Sequence, residues 1–241
     1  WSMSKILSAC GHQVNRVQII NDRGIAICKS MLAWKCYSGG QTPEQAGIKS
    51  DHFVGDWYVR FEKEFAVEYK SWQNTLDARE LFDRRRDAEQ AEEEFFKGYK
   101  NQYFNTASTL GRDARELLLK WEAHDPETIA LWKQMNGWVY EGFEATYQRL
   151  GVSFDKLYYE SDTYLLGKDL IEDGLQRGVF YKKDDGSVWV DLTDVGLDHK
   201  LLLRSDGTSV YMTQDLGTAH KRYEEFGAER MVYVVADEQN Y

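Results

Sequence analysis

Arg204–Ala219 reads RSDGTSVYMTQDLGTA. Its Asp-Gly pair marks a turn, since Gly tolerates positive φ there. Ser209–Met212 has the composition of a short strand, and a helix is expected from Leu216 to Phe226. Tyr211 and Asp215 stand four residues apart beside this strand-to-helix junction. A strand feeding a helix is the repeating joint of α/β folds, and polar groups in such folds gather at the carboxyl ends of strands. The segment that follows agrees: Met231–Ala236, MVYVVA, is apolar throughout, as a strand buried on both sheet faces should be.

Moving towards the amino terminus, Val179–Leu203 reads as two short strands, each with an Asp-Gly turn nearby: KKDDGSVWVDL at Lys182–Leu192 and LLLRSDGT at Leu201–Thr208. Lys156–Tyr159 is a strand and Thr163–Gln176 a helix. Asp125-Pro126 starts a further helix, with Asp as N-cap and Pro in the first turn; it runs to Leu150 and Gly151 closes it. Ile129, Trp132, Met135, Val139, Phe143 and Tyr147 recur along it at three- and four-residue steps, marking one buried stripe that Trp138 extends. Glu62–Tyr103 is charged and aromatic-rich; Arg84–Arg86 and Glu92–Glu94 within it read as solvated helical faces. Ser38–Gly47 is a loop. Ile25–Trp34 is a helix, NDRG at Asn21–Gly24 a turn, Asn15–Ile20 (NRVQII) a buried strand, and Ser4–Ala9 a helix ended by Gly11.

Composition narrows the class. Of 241 residues, 42% are hydrophobic, enough for a sizeable core. No run of 18 apolar residues and no signal-like start occur, so a soluble cytoplasmic protein without membrane contact is expected. Cys10, Cys28 and Cys36 lack CxxC spacing, which argues against a zinc site or disulfide framework. The five histidines show no ligand spacing such as HExxH, so no catalytic metal is expected, and neither a GxGxxG nor a Walker loop occurs. A net charge of −10 opposes general polyanion binding. The chain opens on Trp1 rather than Met, and both ends read as cut.

Three places at expected strand exits hold groups able to do chemistry: Glu160, the Tyr211–Asp215 pair, and Gln239. Each has an ordinary structural alternative. Asp215 can cap the Leu216 helix, Tyr211 can be core, and a lone acid can be a surface charge.

YYES (Tyr158–Ser161), YMTQD (Tyr211–Asp215) and VVADEQNY (Val234–Tyr241) resemble, in order and spacing, the arginine-binding core of arginyl-tRNA synthetases. The second follows the family's YxTxD pattern with Gln214 where Arg is more usual. NDRG stands where many members read GDWG; Arg23 replaces the aromatic, and Asp22 is either an active-site acid or part of the turn. The resemblance implies that Glu160, Tyr211, Asp215 and Gln239 line an arginine site. The chemistry suits it: a guanidinium is planar, stays charged and presents five N–H donors, which carboxylates accept in pairs. Glu160 and Asp215 would hold that cation, Tyr211 would supply a ring wall or hydroxyl, and Gln239 would meet the ligand's amine or carboxylate.

The fold implied is α/β: a Rossmann-like parallel sheet with helices on both faces, interrupted by a mainly helical insertion and one with antiparallel strands. The core would comprise 1–36, 131–160 and 209–241, with insertions at 37–130 and 161–208. The parent is expected to activate L-arginine with ATP, Mg2+ accompanying the nucleotide, and to transfer it to tRNA(Arg). Arg84–Arg86 then has a second reading as a tRNA contact. No tightly bound cofactor is implied. The family's HIGH and KMSK signatures, which stabilise the reacting phosphate, are not in the chain, so the fragment alone is expected to be inactive. Two other readings stand beside this one: a non-catalytic module that binds arginine or a protein partner, and a different nucleotidyl-transferring α/β enzyme.

Overall fold

The computed structural model describes residues 1–87, 89–205, 207 and 210–236. In chain order its elements are α1 (Ser2–Ala9), β1 (Val17–Ile20), α2 (Ile25–Tyr37), α3 (Pro43–Ala46), α4 (Ser50–Gln73), α5 (Leu76–Arg85), α6 (Glu92–Thr106), α7 (Thr109–Glu122) and α8 (Pro126–Leu150). There follow β2 (Lys156–Tyr159), α9 (Glu160–Thr163), α10 (Lys168–Gln176), β3 (Phe180–Lys182), β4 (Val188–Val190), β5 (Lys200–Leu203) and α11 (Tyr211–Phe226). The chain divides into two compact units, Trp1–Asn21 with Phe154–Tyr241, and Asp22–Ser153.

The Asp22–Ser153 unit is helical. Phe53, Trp57, Phe61, Phe65, Tyr69 and Trp72 follow one another along α4 at three- and four-residue steps, so they share a face. That face meets α6 through stacked rings: Phe65 on Tyr103 at 6.1 Å and Trp72 on Tyr99 at 5.6 Å between centroids. The charged, aromatic-rich stretch is therefore both things at once, an aromatic core line with Arg84, Arg85 and Glu92–Glu94 exposed beside it. The expected loop at 38–47 contains one turn of helix, α3, opened by a capping box in which Thr42 and Gln45 satisfy each other's backbone N–H groups. Asp125 caps α8 as expected, accepting from the Thr128 N–H at 2.9 Å. The buried line of α8 is shifted from the one read by apolar spacing: Thr128, Met135, Asn136 and Gly142 are its buried residues, while Phe143 and Tyr147 are half-buried. Gly142 lies on that line because the Asp51 side chain at the start of α4 occupies the place of a Cβ.

The other unit carries both sheets. β1 and β2 pair in parallel, and β3, β4 and β5 form an antiparallel sheet. The α/β class, the parallel pairing and the antiparallel hairpin region agree with the sequence reading. Ile171 on α10, Val188 on β4 and Leu202 on β5 form a small core. The helix expected over 163–176 is interrupted: α9 stops at Thr163 and α10 starts at Lys168, with Gly167 at φ +94° between them.

Two expected strands are not formed. Tyr211 and Met212, expected in a strand, open α11; Ser209 lies outside the described residues. Helix wins because Thr213, Gln214, Gly217 and Thr218 bury one face at helical spacing, extending the helix one turn earlier than the apolar pattern suggested. Thr213 Oγ1 also donates to the Leu202 carbonyl. Met231–Ala236 is extended in composition but joins no sheet, and its side chains are exposed, Val234 to 79%. A strand is stabilised by its ladder, and this run has no ladder partner among the described residues.

Candidate functional site

The parallel pair sets the site. Arg16 and Asp155 pin the strand starts: the Arg16 backbone N–H and Nε donate to Asp155 Oδ2 at 2.7 and 3.0 Å, and a terminal guanidinium nitrogen donates to Oδ1 at 2.7 Å. These hydrogen bonds hold the Asp155 carboxyl below its ordinary range. From there Val17 faces Lys156 and the register runs to Ile20 opposite Tyr159. The next residues, Asn21 and Glu160, therefore leave the strands side by side at the carboxyl end.

Glu160 is 8% exposed. Its Oε2 accepts a hydrogen bond from Asn21 Nδ2 at 3.0 Å. Among the described residues no Lys or Arg forms an ion pair with it. A buried carboxylate is costly unless it is paired, and this one has a neutral amide as its partner.

α11 is anchored to the same strand pair. Tyr158, buried on β2, donates its phenolic hydrogen to Glu225 Oε2, and Lys156 Nζ lies 2.6 Å from Glu225 Oε1. Burial, reinforced by this carboxylate, pushes the Tyr158 phenol up. Arg222, one turn before Glu225, lies with its guanidinium carbon 5.1 Å over the Tyr158 ring. α11 also packs against α9, the element that Glu160 opens. Gly167 and Gly217 permit the close approach of the 166–167 turn to α11: a Cβ on either would overlap the other segment's backbone.

The four residues singled out by sequence fall as follows. Glu160 stands at the end of β2. Tyr211 is the first residue of α11 and Asp215 lies one turn further on, so Asp215 is not the helix N-cap. Asp215 is exposed by area, yet the protein packed against it strips enough water to push its carboxyl above the ordinary aspartate value; Arg222 pulls the other way. Gln239 lies outside the described residues. The elements bearing Glu160, Tyr211 and Asp215 are thus neighbours within one unit.

Asp22 has a structural role in its own unit. It is 2% exposed; its carboxylate accepts from Tyr140 Oη at 2.7 Å, and its carbonyl accepts from Trp132 Nε1 at 2.6 Å and Asn136 Nδ2 at 2.8 Å. The three donors are spaced by four on α8, one line of one helix face. Sequence reading treated Asn21 as a turn former and missed its contact with Glu160. The signal lies in the pairing of two strands 139 residues apart, not in any local pattern.

Among the described residues, no group of three or more His, Cys, Asp or Glu is arranged to hold a metal ion, and no helix is long and apolar enough to cross a membrane. Cys10 and Cys36 are exposed free thiols, whereas Cys28 is buried, its thiol pushed up to about 12 by burial.

The chain as a whole is similar to known proteins. The arginine–tRNA ligase of Bacteroides thetaiotaomicron is 53% identical over 240 residues, covering 100% of this chain and 36% of the relative. That of Porphyromonas gingivalis is 52% identical over 241 residues, covering 37% of its length. The chain thus spans little more than a third of the curated relatives it matches. The crystal structure of arginyl-tRNA synthetase from Plasmodium falciparum superposes over 99% of this chain and 33% of its own, with a TM-score of 0.56 and 11% identity, a likeness of fold. The family model described as tRNA synthetases class I (R), catalytic domain, matches residues 2–241. With that match running through both units, from α1 past α11, the chain belongs to the class I tRNA synthetase catalytic domains of the arginine type.

Proposed function

We propose that this chain is the amino-acid-recognising part of an arginine–tRNA ligase. The parent enzyme activates L-arginine with ATP, Mg2+ accompanying the nucleotide, and transfers it to tRNA(Arg) in the cytoplasm. The catalytic core is carried by 1–36, 131–160 and 209–241, with insertions at 37–130 and 161–208. Glu160 and Asp215 accept the guanidinium donors, Tyr211 supplies a wall or hydroxyl, and Gln239 meets the ligand's amine or carboxylate.

One observation carries this reading most strongly: Glu160 is buried at a strand exit with a neutral amide as its hydrogen-bond partner. A neutral partner leaves the place of a counter-ion open to an incoming cation. A guanidinium fits better than an ammonium, because its planar fork can meet a carboxylate edge with two N–H groups. The raised carboxyl of Asp215 points the same way, since a partly dehydrated acid gains most from a cation.

The test is Glu160→Gln in the full-length ligase, followed by arginine-dependent exchange of pyrophosphate into ATP. The substitution keeps the size and removes the charge. Hydrogen bonds to charged groups are worth about 1.5–3 kcal/mol, so kcat/KM for arginine is expected to fall by about ten- to a hundredfold. An unchanged KM and kcat for arginine would remove Glu160 from the site.

A further inference from the structure

Asn21 is exposed at the end of β1, and its carboxamide reaches across the strand pair to a buried acid. Resting on the assignment of Glu160 to the arginine site, we propose that Asn21 is a positioning residue for arginine recognition: its Nδ2–H donates to Glu160 Oε2 and fixes the carboxylate plane that the guanidinium must meet. A carboxylate accepts through two oxygens, and a planar donor fork is satisfied only when the carboxylate lies in the fork's plane. Left without a lateral donor, the carboxylate would turn about its last bond, because terminal sp3–sp2 torsions are broad and roughly two-fold. The hydrogen bond to Oε2 restricts that freedom, and among the described residues no side-chain donor is seen on Oε1. An amide suits the task better than a cation. Lys or Arg at position 21 would neutralise the carboxylate and compete with the ligand, whereas Asn orients it and leaves its charge in place.

The backbone makes the contact a fixture of the fold. Ile20 opposes Tyr159, so Asn21 and Glu160 emerge in register, and the Arg16–Asp155 pair holds that register from the other end of the strands.

The experiment compares Asn21→Gly, Asn21→Asp and Glu160→Gln, with the double variant Asn21→Gly/Glu160→Gln, in the full-length ligase. Readouts are KM and kcat for L-arginine in pyrophosphate exchange, with thermal melts alongside. Asn21→Gly is expected to raise KM about tenfold with little change in kcat or melting temperature. Asn21→Asp, which keeps the shape but sets a second carboxylate beside Glu160, is expected to raise KM further. Exchange in Glu160→Gln is expected to fall only about ten- to a hundredfold, and because Asn21 acts through Glu160, its substitution should add nothing in that background. An unchanged KM in both Asn21 variants, with Glu160→Gln impaired, overturns the positioning role and leaves the arginine site standing. The same increment in both backgrounds also overturns it. An unimpaired Glu160→Gln enzyme defeats the site assignment itself, and the Asn21 proposal with it.

Discussion

At the scale of single residues, Asp215 offers a test that separates the proposed ligand-binding role from a structural one. It sits one turn inside α11, so its substitution removes no cap. Its carboxyl is raised above the ordinary value by burial. An acid with a raised folded-state value binds its proton more tightly folded than unfolded. Its ionised form at neutral pH therefore costs the fold stability, and the cost disappears as the pH falls through the folded value towards the unfolded one. Asp215→Asn is accordingly expected to raise the melting temperature at pH 7 and to lose that advantage by about pH 3, below the ordinary aspartate value. The same variant in the full-length ligase is expected to use arginine about ten- to a hundredfold less well. A gain in stability with a loss of function marks a site held ready for a ligand. Melting curves at the two pH values, set beside arginine KM, check both halves; a lower melting temperature at pH 7 would contradict the account.

At the scale of elements, the joint between the 166–167 turn and α11 rests on absent side chains. Gly217 is buried within the helix, and a Cβ there would overlap the backbone at Leu166. Helix propensity alone would favour Gly217→Ala by about 0.8–1 kcal/mol. The steric conflict works against it, and overpacking costs about 1–3 kcal/mol. The variant is expected to be destabilised despite its better propensity, read as a lower urea midpoint with an unchanged slope. The same joint explains what sequence reading could and could not give. The caps at Asp125 and Gly151 were legible because they are local chemistry, as were the strand β2 and the hairpin sheet. The start of α11 was not, because the SVYM composition favours a strand and only the packing of Thr213 and Gly217 decides for helix. The sequence offers Glu160 as a candidate through its strand exit and the family pattern. The Asn21 contact is not legible there, because its partner lies 139 residues away.

At the scale of the whole chain, the 241 residues contain the acids expected to recognise arginine but neither HIGH nor KMSK. Produced alone, this polypeptide is expected to give no arginine-dependent exchange of pyrophosphate into ATP; robust exchange would mean that the phosphate-stabilising groups lie among residues assigned other roles here. The exposed Met231–Ala236 run belongs to the same scale: it was read correctly as apolar, but a strand's existence depends on a partner that its own composition cannot specify. The three cysteines carry a practical consequence. Cys10 lies in the unit that holds the candidate site and Cys36 in the helical unit, both exposed, while the buried Cys28 thiol stays protonated and slow to alkylate. The chain therefore accepts one spin label or fluorophore on each unit without any engineered position, a native pair of reporters that can be read one unit at a time.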